Sequence, residues 1–167
     1  MVELILDCGA HVDPRDDDNN QTPLLQTLCA PLFLHTGNFA QSQGLERQTA
    51  IAKLLISRGA DIEAVDNNGH APLHLAVQWA NVEITNMLLL KNANVNIKDR
   101  VGNTPIHLVL NYNNENTYEL VKLLVTLGKD IDLNVRNNNG LTPLKMAKMH
   151  SKSEEIVKLL QENGAKE

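Results

Sequence analysis

The stretch NGHAPLHLAVQWANVEITNMLLLKNANVN, residues 68–96, carries one complete structural unit, and its reading decides the fold. Pro72 follows Ala71, where the other copies of this box have Thr-Pro. A Thr hydroxyl there caps a helix, and Pro in the first helical position loses an N–H that had no partner anyway. The box therefore opens a short helix over 72–80, closed by a brief turn at Ala80 and Asn81. A second helix over 82–91 sets Ile84, Met87 and Leu88 on one face at i, i+3, i+4 spacing. Asn92 ends it in left-handed geometry, a role that Gly59, Gly128 and Gly164 take in the other copies. DNNG at 66–69 and DRVG at 99–102 are turn chemistry between short extended pieces.

Working outward, the unit recurs. QTPLLQT (21–27), HAPLHLA (70–76), NTPIHLV (103–109) and LTPLKMA (141–147) align. So do LILDCGAHVD (4–13), LLISRGADIE (54–63), LLLKNANVN (88–96), LLVTLGKDID (123–132) and LLQENGAK (159–166). The step from Ala71 to Thr104 is 33 residues, as is that from Gly59 to Asn92; Thr104 to Thr142 is 38 and Gly128 to Gly164 is 36. Self-similarity at this period marks a stacked repeat architecture, in which each unit buries its apolar face only against its neighbours.

These boxes resemble ankyrin repeats, whose signature is G-x-TPLH-x-A with a closing GADVN. The likeness is strongest over 69–96 and 102–124, good over 140–165 and weaker over 20–59. It implies an all-α ankyrin-repeat solenoid: helix-turn-helix units with protruding β-hairpin loops. The whole of 1–167 then reads as one domain. It divides into a half-repeat at 1–17, a repeat with an inserted loop (30–47) at 18–65, repeats at 66–98 and 99–136, and a C-terminal repeat at 137–167.

Four departures stand out. Met1 to Gly9 matches only the second helix of a repeat, so the chain reads as cut from something longer, with self-association through Met1–Leu6 as a further expectation. The second repeat holds 16 extra residues around APLFLHTGNFAQSQGLER, read as a loop between its helices because of Pro31, Gly37 and Gly44. A smaller insertion lies near 111–118. The histidine of the TPLH box survives only as His74 and His107, with Leu25 and Lys145 in its place elsewhere. The resemblance implies a hydrogen-bond role between neighbouring repeats for both imidazoles.

Composition narrows the function. Aromatics are 3% of the chain, so the core is built from Leu, Ile, Val and Ala, as packed helices allow. A net charge of −5 without a Lys/Arg block argues against a nucleic-acid partner. No apolar run reaches the ~20 residues of a membrane span, and MVELILDCGA is too short and acidic for a signal peptide. Cys8 and Cys29 read as free thiols of an intracellular protein. No phosphate loop, nucleophile elbow or metal spacing appears, and no cofactor is expected. Cys29 and His35 stand six apart without the context of a nucleophile and its base. Asp16, Asp17 and Asp18 lack the Gly and distal Glu of a calcium loop and read as a solvated hairpin tip. The chain reads as non-enzymatic.

A surface row remains. Eight residues past the start of each box stand Trp79, Tyr112 and His150; seven past stand Gln78, Asn111 and Met149. In ankyrin repeats these places face the concave groove, where protein partners bind. The hairpin tips add Asn67, Asn68 and His70; Arg100, Val101 and Asn103; and Asn138, Asn139 and Leu141, of which Val101 and Leu141 are odd apolar choices for solvent. The resemblance thus implies a protein-binding module. Narrower versions are an inhibitor resembling the inhibitor-of-kappa-B class, a pathogen effector acting on a host protein, and a targeting arm of a larger enzyme or channel. Hydroxylation of Asn96, eight residues after Leu88, is a further implication.

Overall fold

The computed structural model describes residues 12–29, 40–112, 114–150 and 153–166, with the backbone alone over 40–45. The described residues form eight helices and no strand: α1 (Pro23–Cys29), α2 (Ala40–Ser57), α3 (Pro72–Gln78), α4 (Val82–Leu90), α5 (Pro105–Asn111), α6 (Thr117–Leu127), α7 (Pro143–Met149) and α8 (Glu154–Glu162). They pair as α1/α2, α3/α4, α5/α6 and α7/α8. The first helices stack in one layer, α1–α3–α5–α7, and the second helices in another, α2–α4–α6–α8. The core lies between and within these layers.

The short first helices are buried almost all round. In α3 every residue from Pro72 to Val77 is buried, and in α5 every residue from Pro105 to Leu110. A helix apolar on all sides has no stable existence outside a stack, so each unit depends on its neighbours. The second helices are amphipathic. Ile84 and Leu88 are fully buried and Met87 partly so, on the face read from the sequence. Asn81 starts α4: its side-chain oxygen accepts from the Ile84 N–H at 3.0 Å while its amide donates to Thr49 on α2 at 2.9 Å. One residue thus caps a helix and ties it to the previous repeat.

Two expectations change. Residues 40–47 are helix, not loop, because α2 starts at Ala40 and carries Gly44 inside it. The flanking Gln, Leu, Glu and Arg are good helix formers, and they offset the ~1 kcal/mol that an interior Gly costs. Residues 30–39 lie outside the described residues, as do Met1–His11 with the half-repeat and its expected self-association surface. The second change is at Gly128, which has φ −67 rather than left-handed geometry. Helix α6 runs eleven residues against nine in α4, and the left-handed residue falls later, at Asp130 (φ 55). Glycine is still required at 128, since a Cβ there would lie 2.1 Å from the Leu124 carbonyl oxygen. Gly59, Asn92 and Gly164 are left-handed as read.

Candidate functional site

The box histidines form the connection between repeats. His74 Nδ1 accepts the Ala71 N–H at 3.1 Å, and its Nε2 lies 3.1 Å from the Asn103 carbonyl of the next repeat. His107 repeats this: Nδ1 accepts the Thr104 N–H at 3.2 Å, and Nε2 meets the Leu141 carbonyl at 3.1 Å. Both contacts are satisfied together only by a neutral ring that donates from Nε2. Burial pushes His74 down to about 4, against the pull of the Asn103 carbonyl and Asp99, and lowers His107 for the same reason. Where the histidine is missing, the Thr hydroxyl takes over the cap: Thr22 Oγ1 accepts from Leu25 and Thr142 Oγ1 from Lys145. At Thr104 the hydroxyl instead meets His107 Nδ1, at 2.8 Å.

The hairpins are built on one acceptor each. Asp66 Oδ1 takes the Asn68 and His70 N–H groups, Asp99 those of Val101 and Asn103, and Asn137 those of Asn139 and Leu141. Asp16 does the same for Asn19 and Gln21, and these bonds hold its carboxyl below the usual carboxylate range, the Gln21 N–H first. The acidic run is thus the frame of a tip. Neighbouring tips are joined by single backbone bonds: Asn67 N–H to Asn19 O, Arg100 N–H to Asn68 O and Asn138 N–H to Val101 O.

Asn96 clips two repeats together. Its Oδ1 accepts the Asp132 N–H and its Nδ2 donates to the Asp130 carbonyl, both at 2.8 Å. Asn134 does the same with Lys166 and Gly164. Sequence reading named only Asn96. The signal for Asn134 was its step of 38 residues (134 − 96), the step that separates Thr104 from Thr142.

The surface row has a common place in the fold. Trp79, Tyr112 and His150 are the residues that end α3, α5 and α7, and all three are exposed. Trp79 and Tyr112 each leave 40% of their surface open, Met149 leaves 60% and Val101 56%. Gln78 Nε2 reaches the Tyr112 hydroxyl at 3.4 Å across the repeat boundary. Asn111, Asn67, Asn68, Arg100, Asn138 and Asn139 are exposed as well. Asn67 and Asn138 each use their amide on the preceding tip, at the Asp18 and Arg100 carbonyls.

Three tip residues are drawn inward. Leu141 is half-buried against the core rather than exposed, and its carbonyl accepts from His107 Nε2, which holds the segment down. Asn103 is spent within the array, accepting from Asn137 Nδ2 and taking His74 on its carbonyl. His70 sits half-buried between Asp66 (3.5 Å) and Asp99 (3.9 Å).

The remaining chemistry is quiet. Cys29 is half-buried, accepts from Gln21 Nε2, and has its thiol pushed up to about 11 by burial and by Asp66. A thiol held in that form is a poor nucleophile. His35 lies outside the described residues. Among the described residues no helix is long and apolar enough to cross a membrane.

A family model for ankyrin repeats (three copies) matches residues 37–99 and 86–167. No curated protein matches the chain. Ankyrin arrays are in general protein–protein interaction modules, typically without catalysis. With the match spanning most of its length and the helix pairs stacked as that match requires, the chain belongs to the ankyrin-repeat family.

Proposed function

We propose that the array binds a partner protein through the surface made by its hairpin tips and the ends of its first helices, with Trp79 and Tyr112 as anchors. The observation that carries this reading is the open row itself. The chain has only five aromatic residues (one Trp, two Tyr, two Phe), and two of them hold equivalent, exposed places in adjacent repeats. Aromatics concentrate at interaction hot spots because they bury much area at little entropic cost. Met149 and Val101 add apolar surface, and Asn67, Asn68, Arg100, Asn138 and Asn139 supply polar contacts at the tips. The same reading keeps the repeats at 18–65, 66–98, 99–136 and 137–167. The mechanism is passive: a rigid surface recognises a shape, and no bond is made or broken.

The test is affinity capture with the wild type and the Trp79→Ala/Tyr112→Ala variant. Each aromatic is expected to contribute about 2 kcal/mol or more to binding. Unfolding of the two proteins should be nearly the same, because both side chains sit at helix ends outside the core. A native partner held equally by both proteins would move the binding surface elsewhere.

A further inference from the structure

Asn68, Asn139 and Asn163 each precede a glycine. That pair has a chemistry of its own. The backbone nitrogen after an asparagine can attack the side-chain carbonyl carbon, and glycine has no Cβ to obstruct the approach. Asn68 and Asn139 hold the same place in their tips, each two residues past its frame residue, Asp66 or Asn137. In both tips the glycine N–H donates back to the frame residue's carbonyl, Gly69 to Asp66 at 3.0 Å and Gly140 to Asn137 at 2.9 Å. Both asparagines are exposed, and among the described residues their side-chain amides bond to nothing.

The neighbouring tip separates the two. The Asn68 carbonyl accepts the Arg100 N–H at 2.9 Å, and a Cβ at Gly69 would lie 3.1 Å from that same nitrogen. The next tip thus lies directly on the Asn68–Gly69 peptide. Among the described residues no backbone N–H reaches the Asn139 carbonyl, and nothing lies within 4 Å of a Cβ at Gly140. Arg136 holds the Gly140 carbonyl at 3.0 Å, on the far side of that residue from its nitrogen. Asn163 is restrained differently: its Nδ2 donates to the Leu159 carbonyl at 2.8 Å at the end of α8, which fixes the amide that would have to turn.

We infer that Asn139 is a site of spontaneous deamidation in the folded protein. The Gly140 nitrogen bonds to Asn139 Cγ and gives its proton to solvent; the Cγ–Nδ2 bond breaks and ammonia leaves, closing a cyclic imide. Water opens the ring at either carbonyl. One product is aspartate; the other is isoaspartate, in which the main chain runs through the side-chain carbon. The net change is one amide and one water for one carboxylate and one ammonium, with no oxidant or reductant. Because the Gly140 N–H must first leave the Asn137 carbonyl, the rate follows opening of the tip, and a tip with no neighbour lying on it opens more readily. The product sets a carboxylate beside the exposed amide of Asn138, on a tip of the proposed binding surface.

Peptide mapping by mass spectrometry after incubation at mildly alkaline pH tests it, on the folded protein and on the protein in urea. No partner is needed, so the outcome is separate from the protein-binding reading. In the folded protein Asn139 should convert first, at least about ten-fold faster than Asn68, with Asn163 slower than Asn139 as well. In urea the gap between Asn139 and Asn68 should close, since both lie in an Asn-Asn-Gly run. Asn139→Gln, a change at an exposed side chain, should remove the early acidic species seen by ion exchange. Equal rates at Asn68 and Asn139 in the folded protein would overturn the inference. So would an Asn139 that converts in urea but stays intact in the folded protein over the same time, or an early acidic species that persists in Asn139→Gln.

Discussion

At the scale of single residues, His74 couples the stack to pH. Its folded value of about 4 lies below its ordinary 6.5. Between those values the unfolded chain binds the proton and the folded chain does not, so stability rises with pH across that window. It is fully present above about pH 6.5 and lost as pH falls toward 4. The shift corresponds to something on the order of 3 kcal/mol. His107 shifts the same way and adds to the loss. Urea unfolding at pH 7 and near pH 4.5 should show the drop, and His74→Gln should flatten it. An unchanged slope in that variant would mean that other groups carry the dependence. This role was partly legible beforehand, since the histidines stood in a repeated box. The tautomer was not, because it depends on carbonyls about thirty residues away.

Single elements show where spacing informs and where it misleads. The helix starts were legible because Pro and a capping residue leave a local mark. The extension of α2 was not: Gly44 reads as a breaker, and only the continuous helix shows that its neighbours outvote it. The inward turn of Leu141 was hidden for a similar reason, since its burial depends on the bond to His107 in the preceding repeat. Hairpin geometry is sharper. A Cβ at Gly102 would stand 2.8 Å from the Asn138 backbone nitrogen, with φ at +77. At Gly140 φ is +73 but nothing lies within 4 Å. Gly102→Ala should therefore destabilise by about 1–3 kcal/mol, through both strain and the lost bond from Asn138 to Val101. Gly140→Ala should cost only the strain, about 1 kcal/mol. Chemical denaturation of the two variants gives the comparison, and equal losses would exclude the close approach as the cause.

For the whole molecule, stability runs along one dimension. Helices α3 and α5 are packed between first helices on both sides, whereas among the described residues α7 has such a neighbour only in α5. In a stack governed by nearest neighbours, the outer unit opens more easily. Native-state hydrogen exchange should find the amides of α3 and α5 protected roughly ten-fold or more beyond those of α7. Equal protection would show instead that the array unfolds as one block. Lys145 was visible in the sequence as a departure from the box, and the structure leaves it exposed where His74 and His107 are buried.

The single backbone bonds that join the tips leave a particular freedom. Because the N–H of Asn67, Arg100 and Asn138 does the joining, the side chains there add contacts without being required for the link. Any residue with an amide hydrogen keeps the row of tips in register; proline alone is barred at these three places. The frame residues Asp66, Asp99 and Asn137 stand just before them and can stay as they are. The row of tips can thus be rewritten one letter at a time while the scaffold beneath it stays unchanged.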